Sequence, residues 1–303
     1  MTFILEQDQA IFKRLKSEAF EVQVGIHELL GHGSGKLFHA GTPDADALVA
    51  ARTPHPVTNE PITGPFYAAG STWDSTFGKV ASSYEECRAE CCGIFLCLEA
   101  VVLEVFGHIA QPDAVGGVHD TAFINWLLMV RAGLTGLEFF TPTTGAWRQA
   151  HMQARYVILR VLLEAGEGLV TIQKFVGADG NPDLAVELDR AKIPTVGRKA
   201  IGAFLLKLQG YKSLGDLEAG SAMYTGYSEV PAEMQELREI VMARKTPRSV
   251  LVQPHMVKGG DGVELVEFES SAAGMIESFR ARFPAEDPEL MALYHAEKAA
   301  VSD

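Results

Sequence analysis

Hydrophobic positions along most of the chain recur three and four residues apart, the spacing of amphipathic helices. On this pattern, helices are predicted over residues 5–19, 21–32, 77–106, 118–139, 142–165, 195–210, 213–224, 231–244, 271–283 and 287–299. Short strand-like runs predict one β-hairpin from 168–171 and 185–188, and another from 250–252 and 263–268. The predicted fold class is therefore mainly α: a helical lobe with a small β-hairpin, then a tail with a second β-hairpin and helices.

Residues 33–71 interrupt the helical pattern and are rich in Gly, Pro, Thr and Asp. This composition predicts a long irregular connection. Connections of such length inside a compact domain are usually functional. The length of this segment therefore favours a functional role, and its two histidines, His39 and His55, are expected at the surface.

The sequence HELLGH at residues 27–32 places a glutamate between two histidines. In the HExxH helix of zinc peptidases the histidines are four apart and face one metal ion. His27 and His32 are five apart, which turns them about 140° from each other on an ideal helix. If both bind one ion, the helix must absorb an extra residue, most simply as a π-bulge eased by Gly31. The alternative is an amphipathic helix that ends in a glycine cap and carries two incidental histidines.

Acidic residues form a second cluster in the helix predicted over 77–106. Glu86 and Glu90 are four apart and share one helix face, where like charges repel. The residues that follow, 91–98, are apolar all round, which predicts a buried helix. Acids in such a place need a cation, and a zinc ion would supply it. Arg88, or contact with solvent, is the simpler alternative.

The helix predicted over 142–165 is positively charged in an otherwise acidic chain. His151 and Arg155 are four apart and can project from the same face. From the residues alone, ion pairing with neighbouring acids is the simpler explanation of Arg148, Arg155 and Arg160.

Composition and charge exclude several classes of partner. The chain has 26 Lys and Arg against 39 Asp and Glu, a net charge of −13, so nucleic acid and anionic membrane surfaces are not expected to bind it. The first residues lack the basic region of a signal peptide. The longest apolar stretch, 91–107, is interrupted by Glu99 and Glu104 and is not a membrane span.

All four cysteines lie between residues 87 and 97. On one helix they cannot readily form a disulfide framework, and the chain offers no other partner. They are predicted to be buried, reduced thiols, which is typical of a cytoplasmic protein.

The pairing of HELLGH at 27–32 with EECRAE at 85–90 resembles the dipeptidyl-peptidase III family of zinc metallopeptidases. Further stretches that resemble that family are residues 82–90, 125–126, 129–134, 147–170 and 251–254. Because they are spread along the sequence, the resemblance covers nearly the whole chain. It implies a fold of the type of the family's helical upper lobe, which carries the zinc ion.

Family members are much longer, and this chain resembles only their C-terminal portion. The resemblance implies that residues 1–243 form the helical zinc-binding lobe. It implies that 244–303 form a tail that joins the second, lower lobe of a full-length member. The groups that anchor the amino terminus of the substrate in the family lie in that lower lobe and have no counterpart in this chain.

The resemblance assigns His27, His32 and Glu86 as ligands of one Zn²⁺ per chain, with a fourth position left for water. It assigns Glu28 as the catalytic base that takes a proton from this water, whose pKa zinc lowers toward ~7.

Around these ligands, Glu85 and Glu90 match the carboxylates that accept hydrogen bonds from the ligand histidines and fix their orientation. His151 matches the catalytic residue that stabilises the transition state, and Arg155 matches a substrate-binding position. The resemblance therefore favours functional roles over simple ion pairing at these two positions.

Three further substrate-binding residues are expected from the same comparison. Arg244 and Lys245 match basic residues that help to bind the C-terminal side of the peptide and to close the cleft. Asp74 lies where the family shapes a substrate subsite.

The predicted function is that of a zinc-dependent exopeptidase that releases dipeptides from the amino terminus of short oligopeptides. The alternative is a truncated, non-catalytic zinc-binding fragment, which would associate with a missing N-terminal lobe or with itself through exposed apolar surface. A third hypothesis is that a divergent member uses the same zinc site for a reaction other than peptide hydrolysis.

Overall fold

In the computed structural model the chain is described over residues 2–245, 251–260, 262–283 and 287–301. It divides into two compact units, Met1–Lys245 and Thr246–Asp303. Helices make up most of the regular structure, which confirms the predicted mainly α fold. The assignment of 1–243 and 244–303 to two lobes of a longer protein stays a prediction.

The first unit is built from ten α-helices in its described part, numbered in chain order. They are α1 (Glu6–Ile26), α2 (Pro43–Ala50), α3 (Trp73–Phe77), α4 (Ala81–Leu96), α5 (Ala100–Val105), α6 (Asp120–Gly136), α7 (Ala150–Glu164), α8 (Arg198–Leu214), α9 (Leu217–Ser228) and α10 (Ala232–Ala243). None of the described helices combines the length and the hydropathy that crossing a bilayer requires.

Five short strands accompany these helices: β1 (Phe3–Ile4), β2 (Phe140–Thr141), β3 (Ala146–Trp147), β4 (Val170–Val176) and β5 (Pro182–Leu188). β4 and β5 pair antiparallel as the predicted hairpin, and they are longer than expected. β1 adds to β5 in parallel, with Phe3 opposite Ala185, so the sheet has the order β1-β5-β4. This pairing ties the start of α1 to the body of the unit.

The hydrophobic core lies where α1, α4, α6 and α7 pack against one another. α4 and α6 are both buried on most sides, and for α4 the continuous apolar run at 91–98 predicts this. The largest fully buried side chain, Trp126 of α6, donates a hydrogen bond from Nε1 to the carbonyl of Ile94 in α4, at 2.8 Å. A buried indole needs such a partner, and the bond fixes α4 relative to α6.

The HELLGH motif lies at the end of α1. Residues His27–His32 form a π-helix that continues α1 without a break, which confirms the predicted extra residue. The predicted separation of 5–19 from 21–32 is wrong, because no glycine or proline lies between the two segments to end a helix. A Cβ atom on Gly31 would lie 2.7 Å from Cβ and 2.8 Å from Cα of Ala89. Gly31 therefore lets the π-helix pack directly against the backbone of α4.

Replacing Gly31 with alanine is expected to destabilise the protein by about 1–3 kcal/mol, the usual cost of overpacking, because the backbone of α4 cannot move aside. Urea denaturation of the metal-free protein measures this. Gly226→Ala is the matched control: Gly226 lies in α9 with no heavy atom within 4 Å of its would-be Cβ. It should gain about 0.5–1 kcal/mol from helix propensity. Equal effects of the two substitutions would contradict the close packing at Gly31.

One predicted helix is divided into two, and a tertiary contact lies at the break. The helix expected over 77–106 is broken: α4 ends at Leu96, Glu99 is extended, and α5 begins at Ala100. The Glu99 carboxylate pairs with Arg198 of α8, a contact that the local sequence does not encode. The irregular connection at 33–71 is confirmed except for α2.

Local turn chemistry explains two further differences. Residues 142–149, expected to begin a helix, instead form the turn of the β2–β3 hairpin and the approach to α7, since Pro142 and Gly145 favour a turn. The helix expected to end at Gly210 continues to Leu214. It ends instead at Gly215, whose φ of +68° is the left-handed conformation that commonly ends helices.

The second unit contains a hairpin of β6 (His255–Gly259) and β7 (Gly262–Val266), followed by α11 (Ala272–Arg282) and α12 (Pro288–Val301). The order of hairpin and helices is as predicted, but the first strand is shifted. Residues 251–254 are not in a strand, whereas Val250 of the predicted strand 250–252 lies outside the described residues.

Candidate metal centre

The side chains that the sequence analysis assigned to a metal site meet where the π-helix and α7 both pack against α4. The π-helix contributes histidines from its first and last residues, α4 contributes three glutamates, and α7 contributes a histidine and an arginine: His27, His32, Glu85, Glu86, Glu90, His151 and Arg155. The structure thus brings together residues that are up to 128 positions apart in the chain, from 27 to 155.

One carboxylate oxygen, Oε2 of Glu86, is the centre of this cluster. It lies 3.1 Å from Nε2 of His27, 3.1 Å from Nδ1 of His151 and 3.6 Å from Nε2 of His32. Both Glu86 Oε2 and His151 Nδ1 are buried and lack a partner in hydrogen-bond geometry within the described residues. Buried polar atoms are nearly always satisfied, so ligand atoms that converge without hydrogen bonds indicate a place for a cation.

The two histidines of the motif each have a carboxylate behind them. Nδ1 of His27 lies 3.5 Å from Glu90, and Nδ1 of His32 lies 3.2 Å from Glu85. In each ring the opposite nitrogen, Nε2, points toward Glu86. A carboxylate on the far nitrogen fixes the tautomer and orientation of a metal-binding histidine.

The donor set suits a first-row transition ion such as zinc, since imidazole with one carboxylate is a poor match for Mg²⁺ or Ca²⁺. Among the described residues, ligand atoms of His27, Glu86 and His151 all lie within 4.8 Å of one another. His32 stands beside this group rather than within it. The structure therefore offers His32 and His151 as competing third ligands, and the ligand set His27, His32 and Glu86 stays a prediction.

Charges in the cluster are strongly coupled. Burial disfavours the cationic form of His27, but the adjacent carboxylates of Glu86 and Glu90 raise its pKa to about 9. Burial acts to raise the pKa of Glu86, yet His27 and the other histidines lower it. Burial also acts to raise the pKa of Glu90, but His27 and Arg155 lower it to about 2. Without metal, His27 is thus held as a cation between two carboxylates at neutral pH.

Zinc binding is expected to release about one proton per ion at pH 7, because a ligand histidine must be neutral. The sign follows from the raised pKa of His27. Its charge stabilises the metal-free fold fully below pH 6.5, and this contribution is lost as pH rises through about 9. Stabilisation by zinc should therefore grow between pH 6.5 and 9, as competition from the proton disappears.

Calorimetric titration with zinc at pH 7 in two buffers of different ionisation enthalpy counts the protons released. Glu90→Gln is the control: removing this charge lowers the pKa of His27, so fewer protons should be released. A proton count near zero in the unsubstituted protein would contradict a protonated His27 at the site.

Glu90 also connects the metal cluster to residues that the sequence analysis missed. Its Oε2 accepts a hydrogen bond from Gln23 Nε2 at 2.6 Å, and Gln23 Oε1 accepts one from Asn125 Nδ2 at 2.9 Å. A Cβ on Gly93 would lie 2.3 Å from Gln23 Nε2, so glycine is required to make room for this amide. The signal was present in the sequence: Gln23 precedes His27 by four residues, one helical turn.

The other oxygen of Glu90, Oε1, accepts a hydrogen bond from Arg155 Nε at 2.7 Å. Within the described residues no hydrogen bond is formed by the terminal nitrogens of Arg155, and 22% of its side chain is exposed. One buried carboxylate thus contacts both a candidate metal ligand and a candidate substrate-binding residue.

Glu85 is held by two cations. Lys212 of α8 donates to its Oε2 at 2.6 Å, and Arg88 binds both oxygens. Lys212 was missed because no motif marks it. The alternative to a metal ion in which Arg88 neutralises Glu86 and Glu90 is not supported, since the guanidinium pairs with Glu85 instead.

Glu28 lies on the exposed side of the π-helix, between the two motif histidines. Within the described part of the chain its side chain forms no hydrogen bond or ion pair. Asp74 is exposed in the first turn of α3 and contacts none of the cluster residues in the structure as described. Its neighbour Trp73 lies under the Lys212 ammonium, 5.3 Å from Nζ to the ring centre.

Arg244 and Lys245 are engaged elsewhere. Arg244 binds the turn between β4 and β5, through both carboxylate oxygens of Asp179 at 2.7 and 2.9 Å and the carbonyl of Pro182. Lys245 pairs with Glu138 at 2.5 Å. Their predicted contact with a peptide is untested, and it would require these ion pairs to exchange for new ones.

Comparison with known proteins identifies the family. The model of "Peptidase family M49" matches residues 1–283. The chain belongs to peptidase family M49. It is 54% identical over 297 residues to dipeptidyl peptidase 3 of Nematostella vectensis and 51% identical over 294 residues to that of Homo sapiens, covering 97% and 96% of this chain. The resemblance to the dipeptidyl-peptidase III family is thereby confirmed.

The chain spans about two fifths of these M49 relatives, 40% of the Nematostella protein and 39% of the human one. The solved structure of DPP III from Caldithrix abyssi is similar at a TM-score of 0.48 and 16% identity, over 79% of this chain and 34% of that one. Membership of family M49 therefore applies to the chain as a whole. The activity of the longer relatives belongs to proteins of which this chain matches only about two fifths.

Proposed function

We propose that this chain is the metal-binding part of a zinc-dependent peptidase of the dipeptidyl-peptidase III type, which releases dipeptides from the amino terminus of oligopeptides. One observation carries the proposal. Three imidazole rings converge on a buried carboxylate oxygen of Glu86, and the two motif rings have carboxylates at their far nitrogens. This arrangement, in a member of a peptidase family, supports metal-assisted hydrolysis over a structural metal site.

The chemistry divides among the residues by position. Zinc, when bound, would lower the pKa of a water molecule and polarise a peptide carbonyl. Glu28, exposed between the motif histidines and free of partners in the described residues, would accept the proton of this water and pass it to the leaving amine. His151, 41% exposed beside Glu86, would donate a hydrogen bond to the oxyanion of the transition state.

For the substrate we propose short oligopeptides. Arg155 is the residue best placed to bind one, since it lies next to the cluster and keeps donors available. Arg244, Lys245 and Asp74 would contribute only in a closed form of a longer protein, because each lies apart from the cluster here.

The second unit exposes large apolar side chains on its hairpin and helices: Met256, Val263, Leu265, Ile276 and Phe279. Exposed apolar groups at this density are typical of an interface. We propose that further protein covers them, either sequence corresponding to the remaining length of the relatives or a second copy. The cytoplasm is the proposed location, supported by four cysteines that are buried and unpaired.

Two measurements on the purified chain test the proposal. Metal analysis should give about one zinc per chain, as a three-residue site with an open position requires. A chromogenic dipeptidyl-arylamide then reports dipeptide release. Zinc without hydrolysis would support the alternative, a non-catalytic zinc-binding fragment, and absence of zinc would overturn both.

A further inference from the structure

The Arg88 side chain is only 1% exposed, although it carries a permanent charge. A buried guanidinium is costly unless its donors are satisfied. Within the described residues Arg88 makes six hydrogen bonds to four residues, two of which flank His32 in the chain (Gly31 and Ser34), the others being Glu85 and Gln209.

Two of these bonds fix the carboxylate behind His32. Arg88 donates from Nε to Glu85 Oε2 at 3.0 Å and from a terminal nitrogen to Oε1 at 2.6 Å. This paired geometry matches the planar fork of arginine and orients the carboxylate rigidly. Glu85 Oε1 is the same atom that lies 3.2 Å from Nδ1 of His32.

Three other bonds fix the backbone that carries His32. Arg88 donates to the carbonyl of Gly31 at 2.6 Å, to the carbonyl of Ser34 at 3.2 Å and to its hydroxyl at 3.2 Å. Carbonyls in the last turn of a helix lack partners within the helix. Arg88 therefore supplies donors where the π-helix ends, to the residue immediately before His32 and to the residue two positions after it.

We propose that Arg88 is a positioning residue for His32, one that sets both the backbone and the ring orientation of this ligand. The inference rests on the proposed metal site and adds an asymmetry to it. His27 is supported by Glu90, which in turn accepts a hydrogen bond from Gln23, and none of the hydrogen bonds of Arg88 goes to either residue. Loss of Arg88 should thus disturb His32 and leave His27 in place.

Replacing Arg88 with methionine is expected to weaken zinc binding by about 10–100-fold, the range for losing the support of a ligand histidine. Competition with a chromophoric chelator measures this. Arg88→Lys keeps the charge but loses the fork, so it should also bind zinc more weakly, and it carries the test if the methionine variant does not fold. Arg131→Met is the control, a half-buried arginine that donates hydrogen bonds to Thr2 and to none of the cluster residues, and its zinc affinity should change less than about twofold.

A general loosening of the fold would affect His27 and His32 alike. The tautomer of each histidine ring in the metal-free protein therefore tests the specific role of Arg88. Two-bond proton–nitrogen NMR spectra distinguish the tautomers of individual histidines. In Arg88→Met the His32 pattern should change and the His27 pattern should not. In a double-variant cycle, Arg88→Met combined with Glu85→Gln should lose little more affinity than the weaker-binding single variant, because both act on His32.

Zinc affinity unchanged in both Arg88 variants, or equal changes in the His27 and His32 spectra, would overturn the role of Arg88. Failure of the unsubstituted protein to bind zinc would instead overturn the proposed function, so the two failures are distinguishable.

Discussion

Glu86→Ala is expected to weaken zinc binding by well over the roughly 100-fold that losing a carboxylate behind a ligand histidine can cost. Glu86 Oε2 is the atom on which all three imidazoles converge, at 3.1, 3.1 and 3.6 Å. Its removal takes away both a ligand and the negative charge that the cation would face. Chelator competition, with melting temperature as a check on folding, measures the loss.

The same experiment separates the two candidates for the third ligand. His32→Ala should approach the loss seen for Glu86→Ala, whereas His151→Ala should keep zinc affinity within about tenfold, because the carboxylate of Glu85 prepares only the His32 ring for metal. A larger loss for His151→Ala than for His32→Ala would mean that the ligand set is His27, Glu86 and His151. The five-residue spacing of the motif would then have lost its functional explanation.

Glu28→Gln is expected to lower dipeptide release by about 10²–10⁴-fold, the usual contribution of a general base, while zinc affinity stays unchanged. The two effects are expected to separate because Glu28 lies between His27 and His32 on the exposed side of the π-helix and is not one of the proposed ligands. Steady-state hydrolysis of the arylamide substrate is measured for this variant and for the unsubstituted protein. The two are compared in the same form, either this chain alone or a longer protein that contains it.

Glu21→Gln serves as the control for Glu28→Gln, since it removes the charge of another exposed glutamate. Glu21 lies in α1, more than one helical turn before the motif. Its hydrolysis rate should be unaffected. Activity that survives Glu28→Gln would refute this residue as the base, and zinc loss in this variant would mean that it is a ligand.

The mainly α fold was predictable because a hydrophobic period of 3.6 residues is a local signal. Boundaries set by distant contacts were not. Nothing between Leu96 and Ala100 breaks a helix by itself, yet the chain turns there, at the point where Glu99 pairs with Arg198 of α8. Gly210 reads as a helix end but lies within α8, where a Cβ would come 2.8 Å from Pro56. A glycine required for close packing and one required for a turn look alike in a sequence.

The candidate site was partly predictable for a related reason. Residues one helical turn apart, such as Glu86 and Glu90, signal a shared face, and the motif and the family resemblance supplied the rest. Lys212 and Asn125 could not be found this way, since their only link to the cluster is three-dimensional. The competition between His32 and His151 also arises only once α7 is packed against α4.

At the proposed site, the divided use of Glu90 would link metal binding and peptide binding thermodynamically. One of its oxygens faces His27 and the other accepts a hydrogen bond from Arg155. If a peptide draws Arg155 away, the charge that remains on Glu90 acts on His27 alone. By reciprocity, whatever the peptide does to zinc affinity, zinc does to peptide affinity. A kinetic defect in an Arg155 variant therefore cannot be assigned to substrate binding until its metal content is known.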